Sequence, residues 1–190
     1  MTGHLQVIAG PMFAGKTEVL IESIQFYQRT ERVLAIKPGV DNRYSSSHIV
    51  SHSGRQIEAL ALDGELVIPH LAARIQNEGI THIALDEAQF CSEALARYLI
   101  GLSRKLYVLV AGLDLTSQGE PFGVMPMFMA YADRVLKLHG VCSECKGLST
   151  RTHRHVPVDA ETELLNPIFV GGAESYQPLC TTCYEAKRSP

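Results

Sequence analysis

No stretch of this sequence approaches the run of about 20 apolar residues that a membrane span needs. Its opening, Met1-Thr2-Gly3-His4, lacks the basic and apolar pattern of a secretory leader. No membrane partner and a cytoplasmic location are the expectations. Positive charge is not in surplus either: 17 Lys and Arg stand against 20 Asp and Glu, for a net charge of −3 and an isoelectric point near 6.2. Binding to a nucleic-acid backbone rests on such a surplus, so no nucleic-acid partner is expected. Internal repeats, low-complexity tracts and aromatic residues interleaved with a basic stripe are likewise missing. Cysteines number only five, and in a reducing compartment they point to metal or free thiols before disulfides. What remains is ordinary for a globular chain: 190 residues, 46% hydrophobic and 19% charged, enough for one domain or one domain with a small appendage.

The strongest positive signal is Gly10-Pro11-Met12-Phe13-Ala14-Gly15-Lys16-Thr17, which fits G-x-x-x-x-G-K-[ST] at every fixed position. Leu5 to Ala9 precedes it as an apolar run of strand type, and Leu20, Ile24 and Tyr27 follow at helical spacing. A strand turning sharply into a helix points successive backbone N–H groups into one concavity, where the helix N-terminus adds partial positive charge. On this reading Lys16 reaches the β- and γ-phosphates of a nucleotide and the Thr17 hydroxyl binds magnesium; the bland alternative is a glycine-rich turn that binds nothing.

Strand and helix signals then alternate. Arg32 to Pro38 reads as a strand, Val40 to Ser53 as a mobile polar arm, and residues 51–62 as a minor strand or hairpin carried by Ile57, Ala59 and Ala61. Val67, Leu71 and Ile75 mark a helix that accommodates Pro69 in its first turn and stops at Gly79. Thr81 to Leu85 is a buried strand, Ser92 caps a helix through Leu95, Leu99 and Leu102, and Leu106 to Leu113 is a central strand buried on both faces. After a loop over 114–123 come a helix with Met127, Phe128 and Tyr131 and a strand over 134–138. The pattern predicts an α/β fold, a P-loop NTPase-like parallel sheet with helices on both faces, over residues 1–140. From Val141 the sequence shifts to short polar segments with cysteines, a small zinc-ribbon-like lobe over 141–190.

Ligands of open parallel sheets bind beyond the carboxyl ends of the strands, where Asp86-Glu87 follow Leu85. Asp86 is a candidate magnesium ligand, and Glu87 a candidate general base for the attacking hydroxyl. A carboxylate pair capping a helix start is the alternative, and Asp63 and Asp114 are weaker rivals. Cys142-x-x-Cys145 and Cys180-x-x-Cys183 form two knuckles able to give four thiolates to one structural zinc, with two disulfides or two redox pairs as alternatives. His139, His153 and His155 are near enough in sequence to replace one ligand. Cys91 reads as an ordinary core or helix-start thiol.

Taken with Asp41-Asn42-Arg43-Tyr44-Ser45, Asp86-Glu87-Ala88-Gln89-Phe90, Gly112-Leu113-Asp114, Glu120-Pro121-Phe122-Gly123, both cysteine pairs and Val170-Gly171-Gly172-Ala173-Glu174-Ser175-Tyr176, the chain resembles the type II, zinc-containing thymidine kinases over nearly its full length. The resemblance implies phosphoryl transfer from ATP, with magnesium, to the 5′-hydroxyl of thymidine, Glu87 as base, and a lasso from the zinc lobe over the nucleoside. It implies that Phe90 flanks the thymine ring, that Met12, Leu113 and Phe122 line the pocket, that Thr152 meets the thymine methyl and that Tyr176 packs near the sugar. Backbone around Phe169, Val170 and Gly171 holds the base edge and 3′-hydroxyl, and Arg43 lies near the phosphates. Arg154 is a basic residue of the lasso region. A homotetramer and feedback inhibition by thymidine triphosphate are implied as well. Thr116-Ser117 departs from the pattern where an aromatic is expected, and Phe169 where a smaller β-branched residue is usual. The competing readings are a kinase for another nucleoside and an ATP-driven protein whose cysteine lobe binds DNA through Arg151, His153, Arg154, His155, Lys187 and Arg188.

Overall fold

A computed structural model describes residues 3–39, 48–51, 53–62, 67–155 and 171–188. Strand β1 (His4–Gly10) leads through α1 (Lys16–Tyr27) to β2 (Val33–Pro38); a small hairpin, β3 (His48–Val50) with β4 (Gln56–Glu58), precedes β5 (Leu60–Leu62). Then follow α2 (Val67–Glu78), β6 (His82–Leu85), a 3-10 turn (Ala88–Phe90), α3 (Glu93–Leu102), β7 (Tyr107–Leu113), α4 (Met125–Tyr131) and β8 (Arg134–Lys137). Six of these strands form one sheet in the order β5-β2-β6-β7-β1-β8, with every pair parallel. All six carboxyl ends therefore lie along one edge. Gly10 stands beside Leu113, and Leu85 beside Val110.

The α/β expectation holds, because continuous apolar runs suit strands buried on both faces. Along β7, Val108 and Val110 join the cluster under α2, α3 and α4, while Leu109 and Ala111 join Leu20, Ile21 and Ile24 of α1 on the opposite face. Burying each such side chain contributes roughly 1.5–3 kcal/mol. Local signals agree with the packing. The Ser92 hydroxyl accepts from the Leu95 amide at 3.2 Å, a cap of about 1 kcal/mol, and Gly79 ends α2 at φ +60°.

Two expectations need correcting. Within the stretch read as a mobile arm, His48–Val50 is a paired strand whose Ile49 is buried against α1; residues 40–47 lie outside the described part. The predicted minor element between Ser51 and Leu62 is in fact two: β4 closes that hairpin, and β5 extends the main sheet beside β2.

Beyond β8, β9 (Gly140–Val141) pairs with β10 (Leu148–Ser149), and β11 (Arg151–Arg154) pairs with β12 (Tyr176–Leu179). Helix α5 (Thr181–Arg188) closes the described chain. Its one buried residue is Tyr184, which with Cys142 and Leu179 makes a core of three side chains.

Candidate active site

The turn between β1 and α1 depends on its glycines. Gly10 adopts φ +146°, and a Cβ there would stand 2.5 Å from the Leu138 carbonyl oxygen; Gly15, at φ +81°, is the N-cap of α1. The backbone can thus pass close to the end of β8 and open α1 on Lys16 and Thr17. Lys16 Nζ donates to the Pro11 carbonyl at 2.7 Å.

One edge of the sheet brings the acidic pair to this loop. Thr17 Oγ1 donates to Asp86 Oδ2 at 3.2 Å, joining residues 69 apart in sequence, and the Glu87 amide donates to Asp86 Oδ1 at 3.0 Å. Asp86 is buried, and its carboxyl is raised to about 7 by that burial and by the neighbouring Glu87 charge; Lys16 and the Thr17 hydroxyl oppose the shift. A hydroxyl beside a buried carboxylate is a set of hard oxygen donors that fits a magnesium ion.

Glu87 sits at φ +51° in the left-handed region, a strained setting for a side-chain-bearing residue. Its carboxylate makes no cap hydrogen bond to the 3-10 turn that follows. Instead it accepts from Gln89 Nε2, while Gln89 Oε1 accepts from the Leu113 amide at 3.0 Å. Because a backbone N–H only donates, the amide orientation of Gln89 is determined: oxygen to Leu113, nitrogen to Glu87. Gln89 is 3% exposed and so ties the carboxylate to the end of β7. Sequence reasoning gave it no role, although a buried amide between carboxylate and strand end is the side chain that donates and accepts at once. Of the rival acids, Asp114 is buried in an ion pair with Lys137 at 2.8 Å, and Asp63 lies outside the described residues.

The expected nucleoside residues fall into two contacts. Phe90 and Phe122 meet edge to face at 5.6 Å between centroids. Thr152 Oγ1 accepts from the Met12 amide at 3.0 Å, so β11 reaches across to the phosphate loop. Tyr176 is buried on β12, paired with Arg154. Leu113 is half-buried at the end of β7, and Gly171 is buried.

Both cysteine pairs converge. The four sulfurs of Cys142, Cys145, Cys180 and Cys183 lie within 4.8 Å of one another, all four as free thiols. Cys145 and Cys180 sulfurs are 3.7 Å apart, close to the roughly 3.8 Å edge of a tetrahedron with Zn–S bonds of about 2.3 Å. The set is compatible with a structural zinc. Cys91 stands elsewhere, against the core, its thiol pushed up to about 12 by burial.

Residues 3–184 match the family model described as "Thymidine kinase". The chain belongs to the thymidine kinase family. Proteins named thymidine kinase from Deinococcus radiodurans and Coprothermobacter proteolyticus are 38% and 39% identical to it, over 93% and 96% of this chain and 87% and 91% of theirs. The one from Bacteroides thetaiotaomicron is 36% identical over 96% of this chain and 87% of its own. Among the features expected of this thymidine kinase family member, Arg43, Phe169 and Val170 lie outside the described residues. At the end of the chain's described part, Lys187 pairs with Glu144 at 3.0 Å, and Arg188 donates to the Gln118 carbonyl at 2.8 Å. Among the described residues no helix is long and apolar enough to cross a membrane.

Proposed function

We propose that this kinase transfers the γ-phosphoryl group of ATP to the 5′-hydroxyl of thymidine, giving thymidine monophosphate and ADP in nucleotide salvage. The observation that carries the reading is the contact between Thr17 and Asp86, which joins the phosphate loop to the acidic strand end. Loop amides from Gly10 to Lys16 would cradle the phosphates, with Pro11, Phe13, Ala14 and Gly15 shaping the turn. Lys16 and Arg43 would neutralise phosphate charge as it redistributes. Thr17 and Asp86 are the residues that would hold magnesium; when bound, the ion neutralises phosphate oxygens and templates their geometry. Glu87 takes the proton from the 5′-hydroxyl, held in place by Gln89.

On the nucleoside side, Phe90 and Phe122 flank the thymine ring, with Met12 and Leu113 beside them. Thr152 spends its hydroxyl on the Met12 amide and keeps its methyl for the thymine methyl. Tyr176 packs on the sugar, and the backbone of 169–171 meets the base edge. Thymine offers a donor at N3 where cytosine offers an acceptor, and a backbone site left unpaired by the wrong base costs a few kcal/mol. The chain then divides into a phosphate-binding part over 1–140 and a zinc-held part with the lasso over 141–190. A homotetramer, feedback inhibition by thymidine triphosphate and a cytoplasmic location complete the proposal.

Incubation with ATP, magnesium and each of the four deoxynucleosides tests it. Thymidine should give one ADP per monophosphate formed, with the others at least about 100-fold lower in kcat/KM. ADP release that is indifferent to nucleoside, or a preference for another base, overturns the reading.

A further inference from the structure

The loop after β7 poses a physical problem. Thr116, Ser117, Gln118 and Gly119 give the loop no large apolar side chain of its own with which to fix its tip. Yet it is tightly folded. Leu115 bridges Pro121, the Thr116 amide donates to the Glu120 carbonyl at 2.8 Å, and the Phe122 amide donates to the Asp114 carbonyl at 3.0 Å. Thr116 Oγ1 accepts from the amides of Gln118 and Glu120. The result is a short, internally bonded hairpin running from the end of β7 to Phe122. Such a hairpin moves as a unit.

Its tip is held from outside, by α5. Tyr184 Oη donates to the Ser117 carbonyl at 2.7 Å, and Arg188 Nη1 donates to the Gln118 carbonyl at 2.8 Å. The Arg188 guanidinium lies 5.5 Å from the centroid of the Tyr184 ring, one turn along the same helix. Gly119, at φ +84°, lets the tip come that close: a Cβ there would stand 3.3 Å from Tyr184 Oη. Tyr184 is itself 1% exposed, in the small core with Cys142 and Leu179, and Cys183 precedes it on α5. The hydroxyl is therefore delivered to the loop by the cysteine-bearing lobe. At the hairpin's other end Phe122 meets Phe90.

We infer that Tyr184 and Arg188 are positioning residues for the nucleoside: through the hairpin 115–121 they set where Phe122 stands against Phe90. This rests on the reading that those two rings flank the base. Two carbonyls captured by a neighbouring helix take the place of a side-chain anchor that the loop lacks. Both residues act on the hairpin tip, whose other end carries Phe122, so the nucleoside side should feel their loss first.

Tyr184→Phe keeps the ring in its core and removes only the hydroxyl. Thymidine KM is expected to rise about tenfold, in line with a lost buried hydrogen bond, while ATP KM, kcat and bound metal per chain stay within twofold. Arg188→Gln, at the exposed end of α5, is expected to raise thymidine KM about threefold, since solvent competes for an exposed carbonyl. Calorimetric titration with thymidine should show the same ratios without turnover. Unchanged thymidine affinity in both variants overturns the inference, as does a Tyr184→Phe protein whose ATP KM rises equally, which marks a general structural role. Wild-type protein run alongside separates the two readings. If it phosphorylates no thymidine, the proposed function has failed; if it does and the variants match it, only the positioning role has.

Discussion

Glu87→Gln is expected to bind ATP as well as wild type and to phosphorylate thymidine at least about 100-fold more slowly, the scale of a lost general base. The substitution is nearly isosteric, so its effect lies in chemistry. Gln89 presents a donor to residue 87, and its orientation is fixed by the Leu113 amide. A glutamine at 87 must answer that donor with its own oxygen, which turns its NH2 group toward the substrate hydroxyl. The variant would then offer a donor where the reaction needs a proton acceptor. The strained backbone at φ +51° is inherited by the variant, so stability should change little. Single-turnover rates set against an ATP titration separate chemistry from binding. Near-normal turnover would take Glu87 out of the mechanism.

Stripping the metal from the four-cysteine cluster is expected to abolish thymidine phosphorylation and to melt α5 and the strands around it. Among the described residues the lobe's apolar core is three side chains, Cys142, Leu179 and Tyr184, few to set against the entropy of ordering its chain. Zinc bound by such a set contributes on the order of 10–16 kcal/mol apparent, comparable to the about 5–15 kcal/mol of a whole domain. The loss should reach the active site along two contacts. Tyr184 releases the 115–121 hairpin, and Thr152 no longer meets the Met12 amide. Thymidine affinity should therefore fall further than ATP affinity, which keeps the loop, Lys16 and Asp86. Metal analysis should find one zinc per chain, and Cys145→Ser should reproduce the defect. Fully active, metal-free protein would contradict the account.

How much of this was legible beforehand follows from the physics of each signal. The β1–loop–α1 unit is local: glycines, a lysine and a threonine at fixed spacing, framed by two periodicities, so it was readable. Strands β2, β6 and β7 and helices α1 and α3 carry long apolar patterns for the same reason. Strands β3, β4 and β5 are three residues each: alternation over 51–62 signalled a minor strand or hairpin but was too short to divide β4 from β5, and β3 lay in the stretch read as an arm. Helix α5 buries one residue, so it presents no apolar stripe, and its Arg188 reads from sequence as solvated tail. Contacts that span the chain were out of reach altogether. Met12 with Thr152, 140 residues apart, and Tyr184 with Ser117, 67 apart, depend on how β11 and α5 settle on the sheet. Gln89 was visible as a residue but not as a link, because only the left-handed turn at Glu87 brings its amide back onto the carboxylate.

The account depends on the phosphate loop and Asp86 addressing one nucleotide–metal complex. Calorimetric titration of wild type and Asp86→Asn with ATP, with and without magnesium, tests that most directly. Asparagine can keep its oxygen on the Glu87 amide and donate its NH2 to the Thr17 hydroxyl, which accepts as well as donates, so the loop should keep its shape. Wild type should bind ATP more tightly with magnesium, and Asp86→Asn should lose that gain while holding metal-free ATP as before. A magnesium-dependent gain that survives intact in Asp86→Asn would mean that carboxylate and loop serve different sites.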